Sequence, residues 1–258
     1  MSLNQIAVVT GSNKGIGYAI VKGLCEKFKG IVYLTARDSA KGLAAVNSLK
    51  QLGFNPLFHQ LDITDENSIN AFKDHIKTTY GGLDILINNA GVAASHDLPK
   101  EEQAKYNVRV NYFGTLNVCE ALFPLLRNNA KVINISSSAG RLQRIPSTQL
   151  QNKFKDKNLT ISNLSKLMEK YIKDTKEDRN EAEGWGTSAY VVSKVGLTAL
   201  TNLQQNLFNE EKPYRNIYVN SVHPGSVKTD MNKKESELKG KYLWFDCRIV
   251  DWDGPMPQ

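Results

Sequence analysis

Tyr190 and Lys194 stand four residues apart in Ser188-Ala-Tyr190-Val-Val-Ser-Lys194, a spacing that puts both on one face of a helix. A phenol can hand a proton to a carbonyl oxygen, but its ordinary pKa of ~10 is too high for ready exchange near neutrality. A neighbouring ammonium favours the phenolate and lowers that pKa. Lowering it by about three units takes about 4 kcal/mol of differential stabilisation, at ~1.36 kcal/mol per unit. Tyrosine–lysine pairs at this spacing also occur on ordinary helix surfaces, so the pair needs company. Asn134-Ile-Ser136-Ser137-Ser138 follows an apolar run. A hydroxyl there can bond an oxygen as negative charge develops on it, or simply cap a strand. Asn111 falls inside a helical stretch, where asparagine is mildly unfavourable; this points to a water-holding or backbone-bonding role.

A second chemical element opens the chain. Ile6-Ala-Val-Val is a buried-type run that breaks into Thr10-Gly11-Ser-Asn-Lys-Gly15-Ile-Gly17. Ile16, Ala19, Ile20, Gly23, Leu24 and Phe28 then fall at helical spacing. Strand, glycine turn and helix together suit a diphosphate, because glycines admit backbone N–H groups to the phosphates and the helix N-terminus adds partial positive charge. The spacing is Gly-x-x-x-Gly-x-Gly rather than the Gly-x-Gly-x-x-Gly of many dinucleotide folds, and glycine turns also serve purely structural ends.

The elements that must position these groups alternate in period. Strands are expected at Ile31–Ala36, Pro56–Leu61, Leu83–Ile87, Lys131–Ile135 and Asn216–Val222. Helices are expected from Ser39 to Leu52, after a cap at Thr64, in one long run from Glu101 to Leu126, and from Ser188 to about Asn209. Repeated β-α alternation predicts one Rossmann-like, doubly wound parallel sheet of about seven strands, with helices on both faces and right-handed crossovers. The stretch Arg141–Trp185 interrupts the rhythm. Leu164, Leu167, Met168, Tyr171 and Ile172 in it mark a helix capped at Thr160 or Ser162. It is expected to pack beside the sheet edge and roof a cleft. The whole chain, 1–258, reads as a single domain.

Composition narrows the function. Hydrophobic content of 41% suits a real core and is too low for a membrane protein; no apolar run reaches the ~18 residues a transmembrane helix needs. No targeting segment is visible, so a cytoplasmic location is expected. Cys25, Cys119 and Cys247 are odd in number and far apart, which suits buried thiols in a reducing compartment. The net charge of +7 is dispersed among acids, so neither nucleic acid nor membrane is an expected partner.

Taken together, Thr10–Gly17, Asp62, Asn88-Asn-Ala-Gly91, Asn111, Ser137, Tyr190-x-x-x-Lys194 and Pro224-Gly225 resemble the short-chain dehydrogenase/reductase family, over roughly Ile6 to Met231. Within it, the chain looks most like the monomeric carbonyl reductases. These share the Asn-Lys-Gly-Ile-Gly turn, Leu-Thr-Ala-Arg-Asp, Phe-His-Gln-Leu-Asp and a long insertion before the tyrosine. Here Ser137 and Tyr190 lie 53 positions apart (190 minus 137).

The resemblance implies NADPH-dependent reduction of a small ketone, aldehyde or quinone, with Asn111, Ser137, Tyr190 and Lys194 catalytic. Tyr190 would be the proton donor, and Asn111 would hold a relay water. Contacts to the cofactor would come from Gly11, Ser12, Asn13, Lys14, Gly15, Ile16, Gly17, Arg37, Asp62, Ile63, Asn89, Ala90, Gly91, Tyr190, Lys194, Pro224, Gly225, Val227 and Thr229. No metal is expected. Where NAD-binding folds carry an acid after the second strand, this chain has Ala36-Arg37. Arg37 would meet a 2′-phosphate; its alternative is a surface pair with Asp38. The insertion would cover the face used for tetramers, leaving a monomer.

The resemblance weakens at the C-terminus. Asn232–Gly240 is a short charged run before Lys241–Phe245, which reads as the last strand with the preceding helix absent. Two alternatives therefore stand: an NADP-binding regulatory or weakly active isoform, and an alcohol or hydroxysteroid dehydrogenase.

Overall fold

The computed structural model of the protein describes residues 4–225. Val227, Thr229, Cys247, the 232–258 tail and its expected strand lie outside the described residues. Six parallel strands form one sheet: β1 Ile6–Val9, β2 Ile31–Ala36, β3 Leu57–Gln60, β4 Leu83–Asn88, β5 Leu126–Ile135 and β6 Tyr218–Val222. Their order is β3-β2-β1-β4-β5-β6. The count among the described residues is six, against the expected seven or so. The chain reverses its direction of winding between β1 and β4, and the crevice of such a fold opens at the carboxyl ends of those two strands.

Alternation along each strand fills two cores. On one face, Ile6, Val8, Tyr33, Leu83 and Leu86 meet Ile69, Phe72 and Ile76 of α3 (Glu66–Tyr80) and Val118 and Leu122 of α5 (Thr115–Leu122). On the other face, Val9, Val32 and Leu34 meet Val21 of α1 (Gly15–Lys27) and Ala45, Val46 and Leu49 of α2 (Ser39–Gln51). Period-two strands between period-3.6 helices therefore bury both sheet faces.

The expected long helix is divided. α4 (Lys100–Val108) runs into a π turn, Arg109–Gly114; α5 follows, and a 3₁₀ turn with Pro124 closes it before β5. The strand begins five residues earlier than the apolar run suggests. Leu126 pairs with Leu83, the ladder is then irregular around Asn129 at φ 66°, and regular pairing resumes at Lys131 opposite Ile85. The cap of α3 is Asp65, whose carboxylate accepts from the Asn67 amide at 3.0 Å. The predicted Thr64 instead donates its hydroxyl to Asp62.

The insertion also sits differently from expectation. α7 (Ile161–Lys176) is capped by Thr160 as read, but it packs on α4 and α8 (Ala189–Glu210) rather than beside the sheet edge. Leu164, Met168 and Tyr171 of α7 join Val108, Tyr112, Trp185, Val192 and Val195 in a third apolar cluster. The short α6 (Thr148–Phe154) contributes Leu150 and Phe154 to it. Asp174, 1% exposed, anchors the end of this unit: its carboxylate takes the Trp185 indole N–H at 2.8 Å and pairs with Lys170 and Arg179. Apolar periodicity places the helix but says nothing about which layer receives it.

Candidate active site

The glycine turn lies at the carboxyl end of β1 and is held mainly by backbone. The Ser12 amide donates to Thr35 O at 2.9 Å, and the Thr35 amide returns a bond to Ser12 Oγ at 3.1 Å. Ser12 is fully buried, so its hydroxyl serves the turn. Asn89, predicted as a cofactor contact, spends its side chain likewise: Nδ2 donates to Thr10 O and Gly11 O, each at 2.9 Å. Thr10 Oγ1 accepts from the Asn89 and Ala90 amides at 3.0 Å. The packing leaves no room for side chains at two positions. A Cβ on Gly11, itself at φ +58°, would stand 2.7 Å from Ala90 Cα; one on Gly17 would stand 2.4 Å from Asn89 Nδ2.

Asn13 and Ile16 are half-buried, and Lys14 and Gly15 are exposed at the start of α1, whose first turn carries no acid. That cradle, with bare backbone before a 13-residue helix, fits an anion of diphosphate type. Arg37 is exposed just beyond β2, two residues after the Thr35 that staples the turn. It forms no pair with Asp38. That carboxylate caps α2 through the Lys41 amide at 3.0 Å and meets Lys41 Nζ at 3.5 Å. Among the described residues no carboxylate holds the Arg37 guanidinium, so the position has a cation to offer and no competing acid.

Asp62 and Ile63 sit at the carboxyl end of β3. Asp62 turns its carboxylate into its own loop, onto the Thr64 amide and hydroxyl at 2.9 and 2.8 Å, while Ile63 is buried. Pro224 and Gly225 follow β6 at the same edge of the sheet, both half-buried.

The remaining residues converge on the end of β5 and the start of α8. Ser188 caps α8, which sets the phase that turns Tyr190 and Lys194 to the same side. Ser137 begins a 3₁₀ turn, its hydroxyl accepting from the Ala139 amide at 3.2 Å and standing near enough to the Tyr190 phenol to favour its ionised form. The Lys194 side chain is buried, its Nζ donating to Ile135 O at 2.8 Å and lying 5.8 Å from the Tyr190 ring centre. Gly91 closes the other side, where a Cβ would stand 3.1 Å from Asn111 Oδ1 and 3.4 Å from Lys194 Nζ.

Asn111 occupies the π turn, the kind of helical irregularity that often marks function. Its side chain takes both polar groups of Val92, accepting from the amide and donating to the carbonyl, each at 2.8 Å, and donates to Ser193 Oγ at 2.9 Å. Of the two roles read from the sequence, the amide performs the backbone-bonding one.

Burial governs the electrostatics of the pair. Burial pushes the Tyr190 phenol up, and the nearby Ser137 hydroxyl works against that rise. Burial pulls the lysine itself down to about 8, because the dry wall that would strengthen its attraction for a phenolate also strips its own hydration.

Residues that spacing alone passed over complete the wall. The Ile135 carbonyl holds Lys194, Ser193 joins Asn111 to the Tyr190 carbonyl, and Ser136 meets Thr198. The available signal was the polar run 190, 194, 198 and 201 along one helix face. The two cysteines among the described residues are free thiols: burial raises Cys25 and takes Cys119 up to about 12.

The model of the short chain dehydrogenase family matches residues 5–149 and 180–240. The chain belongs to that family. The short-chain dehydrogenase pattern thus skips residues 150–179, most of the helical insertion. Carbonyl reductase (NADPH) 3 of Mus musculus is 45% identical over 238 residues, 91% of this chain and 86% of the mouse protein. Carbonyl reductase (NADPH) 1 of Sus scrofa is 45% identical across 99% of this chain and 97% of its own. Among solved structures, salutaridine reductase from Papaver somniferum superposes with a TM-score of 0.80 at 35% identity, covering 89% of each chain.

Proposed function

We propose that this short-chain dehydrogenase is an NADPH-dependent carbonyl reductase that converts ketones, aldehydes or quinones to alcohols. The observation that carries the reading is the Tyr190 phenol, with the Ser137 hydroxyl near it and the buried Lys194 ammonium beside it, on the sheet edge that also bears the glycine turn. The 45% identity to proteins named carbonyl reductase (NADPH) supports it.

Gly11–Gly17 cradle the diphosphate, Arg37 receives the 2′-phosphate, and Asp62, Ile63, Asn89, Ala90 and Gly91 border the adenosine side. Pro224, Gly225, Val227 and Thr229 border the reactive end. When bound, NADPH supplies hydride to the carbonyl carbon. The Ser137 hydroxyl bonds the carbonyl oxygen and steadies its growing charge. Tyr190 gives that oxygen its phenolic proton. Lys194 holds a ribose hydroxyl and keeps the phenol's surroundings cationic. Asn111 holds the loop after β4 to α8 through its side-chain amide, which is committed to Val92 and Ser193.

The test is consumption of NADPH absorbance with a quinone or an isatin-type ketone. Tyr190→Phe should lower turnover by about 10²–10⁴-fold while leaving NADPH binding intact. A protein that binds NADPH yet turns over no member of a carbonyl panel would be a regulator instead.

The protein acts as a single-domain cytoplasmic monomer. No helix among the described residues is long and apolar enough to cross a membrane. α7 covers α4 and α8, the helices that would otherwise meet a second copy. Sedimentation at twice the chain mass would overturn the monomer.

A further inference from the structure

Four consecutive residues at the end of β5 each engage α8. Asn134 Nδ2 donates to Thr201 Oγ1 at 2.9 Å, Ile135 O accepts from Lys194 Nζ at 2.8 Å, Ser136 Oγ meets Thr198 Oγ1 at 2.9 Å, and the Ser137 hydroxyl stands near the Tyr190 phenol. Two of these rungs carry the chemistry, and the Ser136–Thr198 rung lies next to both. Its polarity is determined. Thr198 has one proton, which it donates to Lys194 O at 3.0 Å, so its oxygen accepts and Ser136 donates. Ser193 and Thr201 follow the same rule, donating to Tyr190 O and Leu197 O at 2.8 and 2.9 Å and accepting from Asn111 and Asn134. Such back-bonding is a known habit of helical serine and threonine; here it leaves Ser193 accepting from the π turn and Thr198 and Thr201 accepting from the end of β5.

Both members of the middle rung are buried, Ser136 at 7% and Thr198 at 6% exposure. Gly140 packs against the pair so tightly that a Cβ there would stand 2.4 Å from Ser136 Oγ, 2.8 Å from Thr198 Oγ1 and 3.0 Å from Lys194 O. The strand end, the turn after Ser137 and the helix turn that carries Lys194 therefore meet at one point.

We propose that Thr198 and Ser136 are positioning residues for the reduction: their hydroxyl pair sets the approach of β5 to α8, and through it the Ser137–Tyr190 and Ile135–Lys194 contacts. The proposal rests on the reductase reading above. Neither residue touches the reacting atoms. A misplacement of about 1 Å can cost on the order of a hundredfold in rate, so a single hydroxyl pair is enough to matter.

Thr198→Val removes the hydroxyl at nearly constant volume, and Thr198→Ser keeps it. For Thr198→Val, kcat should fall on the order of tenfold with the NADPH KM little changed; Thr198→Ser should retain most activity. Ser136→Ala should reproduce the loss, and the double variant should lose little more than either single one. A second readout needs neither cofactor nor turnover. The phenol titration of Tyr190, taken as the tyrosinate difference spectrum against Tyr190→Phe, should move upward in Thr198→Val as the Ser137 hydroxyl draws away from the phenol. Ser137 and Lys194 are the polar groups on that phenol, so a shift reports their approach. Should the valine variant unfold, Ser136→Ala carries both measurements. Equal losses in the serine and valine variants, or an unmoved phenol with unchanged kcat, would overturn the proposal. A wild-type protein inactive on every carbonyl would sink the reductase reading instead, and the titration would still decide the positioning role.

Discussion

The two walls of the crevice are held by different means. On the β1–α1 side, the glycine turn is fixed by backbone bonds and by contacts too close for a side chain, between Gly11 and Ala90 and between Gly17 and Asn89. On the β5–α8 side, the fit is made by buried side chains bonding across the gap: Asn111 to Ser193, Ser136 to Thr198 and Asn134 to Thr201. A backbone-built wall suits a ligand whose charge is fixed. A wall of side chains can tune protons, at the cost of stripping water from ionisable groups such as Lys194.

The contrast predicts which changes hurt, and how. The largest effect belongs to the crowded wall. Gly17→Ala forces Asn89 to release the glycine turn, so unfolding free energy in urea should fall by about 1–3 kcal/mol, and NADPH should bind at least tenfold more weakly by fluorescence titration. Unchanged binding would mean that the turn does not depend on that contact.

Lys194→Met should do the opposite to stability. The folded lysine has its pKa lowered to about 8 from 10.5, so the unfolded chain holds more protons between those values. The burial penalty is in full force below about pH 8 and fades as pH rises toward 10.5. Lys194→Met should therefore gain about 3 kcal/mol at neutral pH, with the gain shrinking in alkali, while activity is lost. In the wild type, kcat/KM should decline as pH rises through about 8 and the ammonium loses its proton. A destabilised methionine variant at neutral pH would show that the Ile135 bond outweighs desolvation.

The smallest effect is local to the exposed rim. Arg37→Asp should raise the NADPH KM on the order of tenfold and leave that for NADH little changed, because only a 2′-phosphate needs the cation. An equal change for both cofactors would remove Arg37 from the discrimination.

Much of this was legible before any fold was seen. Strand, turn and helix periods placed β1, β2, β4, β6 and α8, and the Thr160 cap and apolar face of α7 were written locally. The long run after Glu101 was not read correctly, since a π turn shifts the helical phase without changing the apolar pattern, and Asn111 sits inside that shift. The insertion was placed against the wrong layer, because an amphipathic helix states that it has a partner and not which one.

Residue types and spacing settled what chemistry the chain could attempt: a phenol and an ammonium on one helix face, a serine after a strand, glycines where a phosphate must come near. These depend on neighbours within a few positions, and local geometry fixes them. The tertiary structure alone decided how those groups behave. How far burial lowers Lys194, and which hydroxyl meets Ser136, depends on packing and on contacts between residues about 60 positions apart, from Ile135 to Lys194 and from Ser136 to Thr198. Desolvation and cross-chain hydrogen bonds are properties of packed space, and spacing along the chain does not carry them.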